Sequence, residues 1–137
     1  MRKKVIIYVD GGSRGNPGPS GVGVVILDAS GKRLKDISKY IGETTNNIAE
    51  YNALLYGLEE ALMLRADEIV VNMDSELVAK QLTGDYRVKD SGLKPLFERA
   101  MNMLKSFKGF EIKHIERERN KEADKLVNRA INLASLI

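Results

Sequence analysis

Four carboxylates stand at positions that ordinary packing explains poorly as a set. Asp10 ends an apolar run, Val5–Val9, directly before the permissive pair Gly11-Gly12, and Asp74 ends a second run, Ile69–Met73. Glu50 lies off the large apolar stripe of a helical segment. Its neighbours at helical spacing are Asn46, Asn47, Ala53 and Gly57, small or amide-bearing residues that let this face approach other backbone closely. Asp124 falls one turn into a C-terminal helical segment. Singly, three of them have everyday explanations: a turn former at Asp10, a helix cap at Asp74, a complement to the helix dipole at Asp124. Gathered in one place they would repel strongly unless cations sat among them. Hard oxygen ligands, no cysteine and a single histidine suit Mg2+ or Mn2+ rather than zinc. In a mildly basic chain such a cluster suits phosphodiester hydrolysis with two ions. One would lower the pKa of an attacking water, the other would stabilise the departing oxygen and the developing phosphorane charge.

The elements that carry these residues decide whether they meet. Val5–Val9 and Val22–Leu27 read as buried strands, and Lys32–Ile41 as a third, making an antiparallel meander. The residues between, Gly11 to Pro19, read as turn chemistry. Thr44 or Thr45 caps a helix from about Asn46 to Leu64, with Ile48, Tyr51, Leu55, Leu58 and Leu62 as its inward stripe. Ile69–Met73 is a fourth strand, followed by a helix to Leu82 with Asp74 at its cap position. A polar loop around Gly84–Gly92 leads to a helix with Pro95 in its first turn, running to Phe107. Phe110–Ile115 is the last strand, and Asn120 caps the final helix. The order predicts the α/β class, a five-stranded mixed sheet with three antiparallel strands and then two parallel ones, flanked by helices. Right-handed crossovers place strand four, then strand five, beside strand one. Asp10 and Asp74 then end neighbouring strands, at the carboxyl edge where ligands of such sheets bind.

Composition bounds the rest. The 137 residues, 43% of them hydrophobic, suffice for one domain over residues 1–137 with its own core. The absence of cysteine excludes a disulfide framework, a thiol nucleophile and Cys-ligated zinc. No apolar stretch approaches the roughly 18–20 residues of a membrane helix. The apolar run after Met1-Arg2-Lys3-Lys4 is too short for a signal peptide, so a cytoplasmic setting without membrane association is expected. A net charge of +3 permits a polyanionic partner without requiring one.

The segments around the four carboxylates resemble the motifs of type 1 ribonucleases H. Tyr8 to Pro19 (YVDGGSRGNPGP) is similar to that family's opening motif, Thr45 to Tyr51 (TNNIAEY) to its second, Met73-Asp74-Ser75 to its third and Asn120 to Leu126 (NKEADKL) to its fourth. All four occur in the family's order. The resemblance implies a ribonuclease H-like fold and cleavage of the RNA strand of RNA–DNA hybrids, with Asp10, Glu50, Asp74 and Asp124 holding two Mg2+ ions, for which Mn2+ can substitute. It implies hybrid contacts from Gly11, Gly12, Ser13, Arg14, Asn16, Asn46 and Asn47. His114, ten residues before Asp124, matches the family's loop histidine, which assists proton transfer or product release. A monomer with no obligate protein partner is expected. The chain departs from many relatives in lacking a basic, aromatic-rich helix between Gln81 and Lys94. Lys80, Arg87, Lys89 and Lys94 are the residues available to grip substrate in its place, while Glu76 adds negative charge beside the groove. Competing readings are another nuclease on the same scaffold, including one cutting duplex RNA, and a non-catalytic hybrid-binding module. The presence of all four carboxylates argues against the last.

Overall fold

A computed structural model describes residues 2–137. The elements follow in the order β1 (Lys4–Ser13), β2 (Gly18–Asp28), β3 (Arg33–Thr44), α1 (Asn46–Met63), β4 (Glu68–Met73), α2 (Glu76–Thr83), α3 (Lys94–Leu104), β5 (Gly109–His114), a short 3-10 turn (Arg117–Arg119) and α4 (Lys121–Ala134). The sheet order is β3-β2-β1-β4-β5. β1, β2 and β3 pair antiparallel, whereas β4 is parallel to β1 and β5 parallel to β4. Class, strand order and strand directions are those the sequence pattern predicts.

Side-chain alternation divides the sheet into two faces. Val5, Ile7 and Val9 of β1 and Val22, Val24 and Ile26 of β2 form the main core with Tyr51, Leu54, Leu55 and Leu58 of α1. The helix is rolled relative to the expected stripe. Leu62 is 37% exposed and Ile48 half-buried, while Leu54 and Ala61 are fully buried. The roll has a cause in Gly57: a side chain there would begin 3.2 Å from both Ile7 and Val9, so the helix lies down on its small-residue side. On the opposite face α4 packs Ala123, Leu126, Val127, Ala130 and Ile131 over β2.

Four local expectations are corrected. The Gly11–Pro19 segment is mostly strand: the β1–β2 ladder runs on from Asp10↔Gly23 through Ser13↔Ser20, leaving a turn only at residues 14–17. Ser75, not Asp74, caps α2, its hydroxyl accepting the Val78 N–H at 3.2 Å. Asn120 occupies the N-cap position of α4, but its side chain turns inward and donates to the Val9 carbonyl at 2.9 Å. α3 ends at Leu104 rather than Phe107, and tight turns close residues 105–107. Thr45 does cap α1, accepting from the Ile48 N–H. Among the described residues no helix is long and apolar enough to cross a membrane.

Candidate active site

Val9 pairs directly with Met73, so Asp10 and Asp74 are the next residues on adjacent parallel strands. The other two carboxylates arrive on helices, by one device used twice. A Cβ on Gly11 would lie 2.2 Å from the Ala49 carbonyl oxygen, and one on Gly23 would lie 2.1 Å from that of Ala123. Each strand glycine therefore seats an alanine of a helix at a distance only a bare backbone allows. The residue after each alanine is a carboxylate, Glu50 on α1 and Asp124 on α4. Gly23 is also the register partner of Asp10. Asp10, Glu50, Asp74 and Asp124 consequently share one cleft of about 180 Å³, which Gly11, Gly12, Ser13, Arg14 and Asn46 also line. A larger hollow of about 470 Å³, beside Tyr8, Val25 and Arg33, contains none of the four.

Crowding shows in the protonation of these groups. Burial, then the charges of Asp74, Asp124 and Glu50, push the Asp10 carboxyl up to about 8. Asp10 and Asp124 also lie close enough to share a hydrogen bond. Burial pushes Glu50 up to about 7, against a hydrogen bond from Ser75 and the charge of Arg117, while Asp74 adds to the rise. The cleft cannot hold all its negative charge unaided, which is the condition a divalent cation relieves. The all-oxygen donor set fits a hard cation such as Mg2+. Among the described residues, no three acidic, histidine or cysteine side chains are already gathered tightly enough to hold an ion, so a cation would draw these carboxylates inward.

The raised carboxyls fix the sign of a pH dependence. Asp10 and Glu50 titrate near 8 and 7 in the folded chain against 3.8 and 4.5 as free groups, so between these limits the folded state carries protons the unfolded state has released. Metal-free stability should therefore fall as pH rises from 5 to about 8.5. Asp28, Asp67, Glu76 and Glu122 are shifted the other way, and their contribution is complete below this window. Melting temperatures in EDTA across the range test this, and a flat or rising profile contradicts it. The stabilisation added by Mg2+ should grow over the same window, because ligation needs the carboxylates ionised.

The residues expected to grip substrate separate into groups. Arg14, Gly12 and Ser13 line the cleft, and so does Asn46. Part of their hydrogen-bonding capacity is spent internally: Asn46 Oδ1 accepts the Ser13 N–H at 3.3 Å, and Asn16 Oδ1 accepts the Asn46 N–H at 2.9 Å. The Ser13 hydroxyl bonds the carbonyls of Gly15, Gly18 and Thr44. Ser13 and Asn16 thus staple the loop to the start of α1, and the amide nitrogens of Asn16 and Asn46 stay available. Asn47 is half-buried beside them. Lys80 is held on α2 by Glu76 at 3.1 Å and lies over the Tyr86 ring at 5.1 Å. The expected excess of negative charge at Glu76 is thereby largely cancelled. Arg87 and Lys89 are exposed on the connection between α2 and α3, away from the cleft. His114 ends β5 opposite Met73, exposed at the rim and not lining the cleft.

Two polar lining residues escaped the sequence reading. Arg117 projects from the 3-10 turn into the acidic cleft, where its charge favours the ionised form of Glu50. Its signal was the charge-dense run Glu116-Arg117-Glu118-Arg119 after the last strand. Asn128 lies one turn beyond Asp124 on α4, and spacing alone could have flagged it.

A family model described as reverse transcriptase-like matches residues 8–130. A bifunctional protein of Mycobacterium tuberculosis is 43% identical over 133 residues, 96% of this chain and 36% of its own length. A protein of Halobacterium salinarum named ribonuclease HI is 42% identical over 129 residues, 94% of this chain and 65% of its own. The chain thus spans between about a third and two thirds of the length of these curated relatives. Among solved structures, a compost-derived RNase H1 in complex with an RNA/DNA hybrid superposes with a TM-score of 0.89 at 48% identity, covering 95% of this chain and 98% of that one.

Proposed function

The chain belongs to the reverse transcriptase-like family of ribonuclease H domains, and on that premise we propose that it hydrolyses the RNA strand of RNA–DNA hybrids with two divalent cations. The observation that carries this reading is the convergence of Asp10, Glu50, Asp74 and Asp124 in one cleft, beside Arg14 of the β1–β2 turn and Asn46 at the start of α1. These four carboxylates would hold the ions, with Mg2+ the natural occupant and Mn2+ a substitute. Bound there, the ions would activate water and offset charge developing on the phosphorane. The chain's own residues do the rest. Asp10, at the end of the parallel strand pair, anchors the site to the sheet, while Ser75 and Arg117 partly offset the burial that disfavours the ionised form of Glu50.

Recognition should read duplex shape and ribose hydroxyls rather than bases. The free amide nitrogens of Asn16, Asn46 and Asn47, with the backbone of Gly11 and Gly12, can pair with 2′-hydroxyls, which only RNA offers. Arg14 contributes a phosphate contact, and Lys80, Arg87 and Lys89 a weaker outer field without sequence information. Binding should weaken steeply with salt. One hydroxyl contact discriminates too weakly alone, so several consecutive ribonucleotides should be required. DNA duplexes carrying one, two, four or more embedded ribonucleotides test this. Efficient cutting at a single ribonucleotide, or of an all-DNA duplex, would refute the recognition scheme.

His114 stands at the rim rather than inside, which limits it to proton transfer through solvent or to product release. His114→Ala should slow turnover on the order of 10²-fold or less. An unchanged rate in both single- and multiple-turnover assays would remove it from the mechanism.

A further inference from the structure

We propose that Asn128 is a positioning residue that transmits the state of the substrate-gripping Arg14 to the metal-binding carboxylate Asp124. The inference rests on the metal-dependent reading above and names one more residue for it. Asn128 sits four residues after Asp124 on α4, hence on the same helix face. Its Nδ2 donates to the Asp124 carbonyl at 3.1 Å and to Asp124 Oδ2 at 3.4 Å. Its Oδ1 accepts from Arg14 Nη2 at 3.2 Å, across 114 residues of sequence. The donors therefore point one way, from guanidinium to amide to carboxylate. Each bond in such a chain polarises the next.

The choice of an amide has a chemical reason. A guanidinium placed directly on Asp124 would form a charge-assisted pair and compete with a divalent cation for the same oxygens. A neutral amide instead fixes the orientation of the carboxylate and leaves its charge for the ion. Asp124 needs such support. Its other contact in the cleft is Asp10, a like-charged neighbour that repels it when both are ionised. The Gly23–Ala123 contact fixes the backbone of Asp124 as the Gly11–Ala49 contact fixes that of Glu50, but Asp124 lies near the start of a helix with no side-chain cap, and its carboxylate takes a hydrogen bond from Asn128. The bridge also joins two elements that substrate must separate or tighten together: Arg14 is on the β1–β2 turn, Asn128 on α4. When Arg14 moves onto a phosphate, the pull on the Asn128 amide changes, and with it the hold on Asp124.

The test combines Asn128→Leu, which keeps volume but loses all three bonds, with Arg14→Ala and the double variant. Mn2+ binding by titration calorimetry without nucleic acid is read alongside Mg2+ dependence, kcat and KM on a hybrid. Asn128→Leu should weaken Mn2+ binding and raise the half-saturating Mg2+ by about threefold to tenfold, the scale of one or two lost hydrogen bonds. At a fixed subsaturating Mg2+ its kcat should fall with metal occupancy, and the loss should shrink as Mg2+ is raised. Arg14→Ala should raise KM and reproduce the metal shift, the double variant should shift metal dependence no further, and Asn128→Gln should restore most of the loss. Metal binding unchanged within twofold in Asn128→Leu, or shifts that multiply in the double variant, would overturn the proposal. A parent chain that binds Mn2+, and an Asn128→Leu variant that binds it more weakly, with hybrids left uncut by both, would support the bridge and sink only the activity. A parent that binds no Mn2+ would overturn both.

Discussion

Asp10→Asn is expected to remove turnover on hybrids by at least the order of 10²–10³-fold seen when one transition-state-stabilising group is lost, while leaving the fold intact. Asp74→Asn and Glu50→Gln should behave alike. An amide preserves shape but not the charge that would hold an ion. The metal-free protein should lose no stability, because Asp10 sits buried among three carboxylates that resist its ionisation. At pH 8 its melting temperature without metal should rise, and the stabilisation normally added by Mg2+ should shrink. Activity assays with circular dichroism melts in EDTA and in Mg2+ read both halves. A well-folded Asp10→Asn, Asp74→Asn or Glu50→Gln chain with near-parental activity would show that the site is elsewhere.

Gly11→Ala should produce a large loss of stability for a single added methyl group. The new Cβ would stand 2.2 Å from the Ala49 oxygen, 2.3 Å from its carbonyl carbon and 2.5 Å from the Glu50 nitrogen, all backbone atoms that no rotamer change can move. Overpacking of this kind costs about 3 kcal/mol or more, which for a domain of this size lowers the melting temperature by roughly 10 °C. Folded molecules that remain should also be slow, since relief of the clash pushes Glu50 away from the sheet. Gly31→Ala is the informative comparison. Gly31 has a φ of +93° with nothing within 4 Å, so the substitution adds strain without a clash and should cost only about 1–2 kcal/mol. Urea denaturation of both variants checks the difference, and equal losses would mean that the Gly11–Ala49 contact is looser than described.

These two glycines also show which features were legible in the sequence. Strand order was legible because Val5–Val9 and Ile69–Met73 are apolar runs joined through a helix, which leaves little freedom in topology. That same order placed Asp10 beside Asp74 without any side-chain knowledge. The role of Gly11-Gly12 was not legible. Consecutive glycines before Ser-Arg-Gly-Asn-Pro look like turn chemistry, and only the seating of Ala49 shows that they are strand residues kept bare for a helix. Asp74 and Ser75 are adjacent cap formers, and the choice between them depends on which hydroxyl or carboxylate reaches Val78. Arg117 depends on the path of the 3-10 turn, which no local periodicity writes, whereas the spacing of Asn128 from Asp124 was there to be used. Glu76 looked like a liability because its charge could be counted but its pairing with Lys80 and Tyr86 could not.

The central claim is that the four-carboxylate cleft cuts RNA paired to DNA when, and only when, a divalent cation is present. One gel experiment addresses it most directly: a hybrid labelled on either strand, a matched RNA duplex and a matched DNA duplex, each incubated with the chain in EDTA, in Mg2+ and in Mn2+. The account predicts cleavage of the labelled RNA strand of the hybrid in Mg2+ and Mn2+, none in EDTA, and none of the DNA strand or the DNA duplex. Cleavage of the hybrid that persists in EDTA, or loss of the DNA strand at a comparable rate, would contradict it.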